Sequence, residues 1–180
     1  MAQVAIKSTA VTNANTTPRT QNTVGIEGGQ VIRAVNGLVT LTSGNTEAAT
    51  LAAGASTYRV GKIRSDDFID RVRIDTTADM GTTTVVDVGL YDLLTHSNGG
   101  TVVDQDFFAS SVSLKDGALS NTDLTFEAGA AGGLITNAEK RVWEMLGLSS
   151  DPGKEYDVAL TLTGACDGTG TALVRVYVVR

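Results

Sequence analysis

The clearest alternation of apolar and polar positions runs from Thr82 to Asp92, with Val86, Val88 and Leu90 facing one way and Val85, Asp87 and Tyr91 the other. A period of two marks a strand with one face on a core, and Gly89 in its middle predicts close approach by neighbouring backbone. Tyr58 to Arg64 and Asp67 to Asp75 form two more strands joined at Ser65-Asp66. The second sets Phe68, Asp70, Val72 and Ile74 on one face against Ile69, Arg71 and Arg73; since Asp70 does not suit a buried face, this strand starts late or bulges. Gln30 to Thr42 carries Val31, Ile32, Val35, Leu38, Val39 and Leu41, interrupted by Asn36-Gly37, the best two-residue turn signal in the chain, which predicts a hairpin. Val102 to Leu114, with Phe107 and Phe108, is another apolar region, and Thr122 to Phe126 is a weaker strand. Tyr156 to Thr163 alternates Tyr156, Val158, Leu160 and Leu162 against Asp157, Thr161 and Thr163. The turn Asp167-Gly168-Thr169-Gly170 then predicts antiparallel pairing with the last strand, Thr171 to Val179.

One helix interrupts this pattern. Thr136-Asn137-Ala138-Glu139 matches a capping box, Ala138, Val142, Met145 and Leu146 recur at helical spacing, and Gly147 can close the helix in the left-handed conformation. Its Trp143 reads as an anchor against a sheet. The Ala-rich stretch Thr46 to Ser56 fits neither period, while His96 to Gly100 and Ala128 to Gly133 read as loops. Short strands at regular spacing predict an all-β sandwich or barrel over residues 23–180. Residues 1–22 differ: after Val4, Ile6 and Val11 comes a polar run from Thr12 to Asn22 with Pro18 and no period, which reads as an extended arm. The alternating Val4 and Ile6 suit addition of a strand to a neighbouring sheet edge, with packing on the arm's own domain as the alternative.

Composition narrows the chemistry. Among 180 residues there is one His and one Cys, so a single chain can form neither an internal disulfide nor a Cys/His metal cluster. The formal charge of -6 and pI near 4.7 lack the basic field of a nucleic-acid binder. No apolar run approaches the roughly 20 residues of a membrane span, and Met1 to Lys7 has no secretory pattern, so synthesis in the cytoplasm is expected. The charged fraction of 19%, against about 25% in ordinary soluble domains, leaves a surface of Thr, Ser and Asn of the kind other protein chains cover.

Candidate catalytic groups are few. His96 sits in a Ser-Asn-Gly-Gly loop without a nucleophile motif and reads as an exposed loop residue, and Cys166 as a small residue at a strand end. Carboxylates cluster as Asp66, Asp67 and Asp70, as Asp104 and Asp106, and as Asp151, Glu155 and Asp157, but no cluster matches a calcium loop; acids near turns mostly cap backbone groups. The glycines match neither dinucleotide-binding nor phosphate-loop patterns. No catalytic residue, cofactor or metal site is expected.

The series Asp87-Val88-Gly89-Leu90-Tyr91-Asp92, then Val102-Val103-Asp104-Gln105-Asp106-Phe107-Phe108-Ala109, then Val142 to Pro152, ending in Tyr156-Asp157-Val158, resembles small virion structural proteins of tailed bacteriophages. The resemblance covers about residues 58 to 180. It implies a capsid decoration, or cement, protein with an antiparallel jelly-roll-like β-sandwich, carrying one short helix at about 136–146. Such a protein binds the outer capsid shell, where its partners are the major capsid protein and neighbouring copies of itself. The family has no catalytic motif to carry over. The expectation is a non-enzymatic virion subunit with the arm residues Val4, Ile6 and Val11 as partner contacts, binding neither nucleic acid nor membrane. A carbohydrate- or receptor-binding β module of a phage tail or fibre is the alternative, and a carboxylate-based hydrolase a third reading.

Overall fold

The structure is a computed structural model that describes residues 31–41, 57–93, 100–115, 117–125, 127 and 135–180. Among the described residues there are eight strands: β1 (Ile32–Leu41), β2 (Thr57–Arg64), β3 (Phe68–Thr76), β4 (Val85–Asp92), β5 (Val102–Ser113), β6 (Thr122–Asp123), β7 (Glu155–Leu162) and β8 (Gly170–Val179). They form two four-stranded antiparallel sheets in the orders β1-β8-β3-β6 and β2-β7-β4-β5. Of the successive strand pairs, only β4 and β5 share a sheet; every other connection crosses the sandwich, so that the first strand lies beside the last. Eight strands interleaved in this way make a jelly roll.

The alternating residues meet between the sheets. Val72 and Ile74 of β3 and Val174, Val176 and Val178 of β8 are buried, as are Val86, Val88 and Leu90 of β4 and Val158, Leu160 and Leu162 of β7. Phe107 and Phe108 of β5 are both buried although adjacent in sequence, with rings edge to face at 4.9 Å between centroids. On the outward face Asp87, Gly89 and Tyr91 of β4 and Asp157, Ala159 and Thr161 of β7 are buried too. Their polar groups bond one another: the Tyr91 hydroxyl lies 2.5 Å from Thr161 Oγ1, and Gln105 Nε2 donates to Asp87 Oδ2 at 2.8 Å. Arg59 stacks 4.1 Å above the Tyr91 ring.

Two local expectations hold. β3 shifts register between Ile69 and Arg71, which puts Asp70 in a bulge and exposes it. A Cβ on Gly89 would fall 2.1 Å from the Gln105 carbonyl oxygen, so the neighbouring backbone does pass close by.

Three others are corrected. Asn36-Gly37 is no turn: β1 runs unbroken through it, because Gly37 lies where β1 approaches β2 too closely for a side chain. β7 and β8 do not pair; the chain between them crosses to the opposite sheet, where β8 joins β1 and β3. The helical segment is shorter than its apolar spacing suggests, a 3-10 turn at Ile135–Asn137 followed by one α-helical turn, α1 (Val142–Met145). α1 starts there because the Val142 and Trp143 amides donate to the Asp67 and Ser65 carbonyls at 3.0 Å each, which pins the helix start to the β2–β3 turn. Glu144 accepts from the Arg141 amide at 2.8 Å, and Gly147 takes φ 70° as expected of a helix stop. Val142 enters the core, while Trp143 is half-buried. Among the described residues no helix is long and apolar enough to cross a membrane.

Candidate interaction surface

An exposed sheet edge offers unpaired backbone groups to any passing chain, and proteins ordinarily blunt it with short strands, bulges or charge. Three of the four edges here are blunted. β6 has two residues, β2 bulges between Arg59 and Gly61 and carries Arg59, Lys62 and Arg64, and β5 departs from register with β4 at three places. β1 has none of these devices. Its ten residues pair with β8 from Ile32↔Val179 to Leu41↔Gly170 without a register shift, and Arg33 is its single charge. No described strand lies along its other side.

The face beside this edge exposes large apolar residues among polar ones, with Asn36 beside Arg175 and Thr40 beside Thr171. Val31 is 79% exposed, Leu38 70% and Ile32 56%. Register sets Ile32 beside Val179, Ala34 beside Tyr177 and Leu38 beside Leu173, all on the side away from the core, since the intervening β8 residues Val174, Val176 and Val178 point inward.

Two features hold β1 in place. Its inner side presses on β2: a Cβ on Gly37 would lie 2.2 Å from both Cβ and the carbonyl oxygen of Val60, and one on Gly61 would lie 2.1 Å from Val35 Cγ1. Its start is tied to Asp67, whose side chain is only 1% exposed. Asp67 Oδ2 accepts from Arg33 NH2 at 3.1 Å and from the Arg64 amide at 2.9 Å, and Oδ1 accepts from Arg180 Nε at 3.1 Å. One carboxylate therefore joins β1, the end of β2 and the residue after β8. Beside it opens a cleft of about 190 Å³ lined by Val31, Arg33, Asp67, Val178 and Arg180.

Of the other clustered carboxylates, Asp70 and Glu155 are exposed, while Asp151, like Asp167 outside the clusters, serves a loop. Asp151 Oδ1 accepts from Ser65 Oγ at 2.5 Å and from the Gly153 amide at 2.9 Å, and the bond from Ser65 holds this carboxyl below the usual range. Asp167 accepts from the Thr82 hydroxyl at 2.6 Å and from the Thr82 and Thr83 amides at 2.9 and 3.1 Å; these bonds hold it well below the usual range and stitch the β7–β8 crossing to the loop before β4. Buried Cys166 donates its thiol to the Gly168 carbonyl at 3.1 Å. Among the described residues no three His, Cys, Asp or Glu side chains are grouped to hold a metal ion. Val4, Ile6, Val11 and His96 lie outside the described residues.

Asp104 titrates differently. Partial burial, and then the neighbouring Asp106, push its pKa up. A raised carboxyl pKa favours the folded state while the proton is held and disfavours it as pH rises through the folded value. Asp104→Asn is thus expected to raise Tm at pH 7 by about 1–2 °C, the size suited to a half-exposed group screened by solvent. At pH 3, where Asp104 is already protonated, the two melting curves should coincide; a constant difference at both pH values would mean that charge is not the cause.

Sequence reading missed the β1 edge and its tie. The edge had a signal, a ten-residue apolar stretch with one charge, but the turn-like Asn36-Gly37 divided it. Arg33 and Arg180 stand 34 and 113 residues from Asp67, so no local pattern links them.

No protein-family model and no curated protein matches the chain. Among solved structures it is similar to a chain of the cyanophage Pam1 capsid asymmetric unit, at 12% identity and a TM-score of 0.47, over 92% of this chain and 96% of that one. It is similar to a chain in the capsid of Ralstonia phage GP4, at 10% identity and a TM-score of 0.46, over 85% of each. A chain of the acidic stable capsid structure of Helicobacter pylori bacteriophage KHP30 aligns at 13% identity and a TM-score of 0.37, over 83% of this chain and 94% of that one.

Proposed function

We propose that this protein is a bacteriophage virion structural subunit, a capsid decoration or cement protein that binds the outside of the shell built by the major capsid protein and stabilises it. The observation that carries the reading is β1, a long, regular edge with a single charge and no described strand along its outer side, where the other three edges among the described strands are blunted. A free-standing protein with such an edge is prone to aggregate, so the edge suits a chain that functions in an assembly. The sequence resemblance over about residues 58 to 180 supports the same role, and the use of Asp67 and Asp151 to tie segments together suits a structural subunit. Many copies, each burying an ordinary interface, reinforce a shell through multivalency.

In this reading residues 1–22 form an arm that reaches a neighbour through Val4, Ile6 and Val11, while residues 23–180 form the sandwich. The purified protein is expected to co-sediment with capsids lacking it and to raise their resistance to heat. Deleting residues 1–22 is expected to lower its occupancy about tenfold or more, the loss suited to removing one of two linked attachments. Failure of the intact protein to sediment with capsids would refute the decoration reading, and unchanged occupancy after the deletion would remove the arm from it.

A further inference from the structure

We infer that the cleft at the start of β1 receives a carboxylate carried by an extended segment of the capsid shell subunit, which lies along β1 as an added strand. The inference rests on the decoration reading and specifies the chemistry of its partner. Arg33 and Arg180 flank the cleft with side chains 50% and 47% exposed, and both are held by buried Asp67. Counting the ion pairs at this corner, Arg33, Arg64 and Arg180 stand against Asp66 and Asp67, an excess of one positive charge in a chain of net charge -6. Each guanidinium has five N–H donors in a rigid fork, and the bonds to Asp67 leave donors over on both. Holding the forks in advance reduces the conformational entropy lost on binding, and a carboxylate is the group whose two oxygens match such a fork. Val31 and Val178 supply apolar walls that suit the methylene stem of an acidic side chain.

The position selects an extended ligand. The cleft lies where β1 begins, and beyond it the edge continues regularly to Leu41, with Ile32 and Leu38 exposed beside it. Main-chain hydrogen bonds along the edge would supply affinity, and the carboxylate would fix the register.

This chain does not itself offer a suitable occupant from the obvious places. Ile32 to Leu41 contains no acidic residue, so a second copy pairing β1 with β1 cannot fill the cleft. Residues 1 to 26 contain neither Asp nor Glu, so the arm of a second copy cannot fill it either. With neither the edge strand nor the arm of a second copy offering a carboxylate, it is assigned to the shell subunit, the neighbour that an assembled particle supplies.

The test uses the full-length protein and capsids lacking it, with binding measured by co-sedimentation at low and high salt. Arg33→Gln, which keeps a donor for Asp67 but removes the charge, is expected to weaken binding about tenfold or more and to flatten its salt dependence. Leu38→Asp should weaken binding comparably, while Glu139→Gln, on the exposed segment before α1, should not change it. Thermal melts identify any variant that fails to fold. Arg33→Lys, which preserves the charge, should become crosslinked by a carbodiimide to an acidic residue of the shell subunit. Wild-type binding with undiminished, equally salt-sensitive binding of Arg33→Gln would overturn the inference while leaving the decoration reading intact. Absence of wild-type binding would instead overturn the decoration reading. If Leu38→Asp converts an oligomer to monomers in the absence of capsids, the face is a seam between copies and the inference fails.

Discussion

Replacing Asp67 with alanine is expected to lower the unfolding free energy by about 3 kcal/mol, near the bottom of the range for breaking a buried ion pair, because its two arginine partners are half in water and can be rehydrated. The side chain has three donors, from Arg33, the Arg64 amide and Arg180, and so ties together the start of β1, the end of β2 and the residue after β8. Its loss leaves the Arg64 amide without that acceptor and frees the start of β1 from the β2–β3 turn. For a domain of this size the corresponding fall in Tm is about 6–12 °C. Urea denaturation measures the loss directly, and hydrogen exchange should locate it: amides near Arg33 are expected to exchange faster, while those of β4 and β7 keep their rank as the slowest. Asp67→Asn, which can still accept from the amide, should lose less. Equal stability of Asp67→Ala and wild type would show that the arginines, not the carboxylate, organise this corner.

Gly37→Val should destabilise by about 2–3 kcal/mol, the upper part of the range for forcing extra volume into a packed site. The obstruction is backbone as well as side chain, since the new Cβ would meet the Val60 carbonyl oxygen at 2.2 Å and its Cα at 2.4 Å. Trimming the opposing side chain therefore should not help: Gly37→Val with Val60→Ala is expected to remain well below wild type. β1 must move away from β2 to admit the valine, so capsid binding should fall together with stability. A Gly37→Val protein with the wild-type melting curve would mean that β1 and β2 are not in contact in solution.

These two sites mark the limits of what the sequence discloses. The alternation in Val85 to Asp92 and Tyr156 to Leu162 locates β4 and β7 because both bury one complete set of side chains in the core. Asp70 discloses its bulge for the same reason: a charge on the wrong face must be moved off it. Asn36-Gly37 misleads because turn propensity is local, whereas the close approach that demands Gly37 is set by β2, more than twenty residues later. The turn signal Asp167-Gly168-Thr169-Gly170 reads as joining an antiparallel pair, but the chain between β7 and β8 passes from one sheet to the other. The start of α1 is decided by carbonyls of Ser65 and Asp67, which no capping pattern near Thr136 records. The corner formed by Arg33, Asp67 and Arg180 has no periodic signature, since it gathers three distant segments.

The pairing of β1 with β8 also has a consequence for the order of events during synthesis. The residues that border β1 on its one described side belong to β8, so Ile32 to Leu41 waits until the chain has reached Gly170 to Val179 before its partner exists. Contacts of such sequence separation form late because the entropy of closing so long a loop must be met first. Until then Arg180 is absent as well, and with it one side of the cleft. A nascent chain that has not yet reached β8 therefore lacks the finished edge, and under the proposed function it could not yet join a shell.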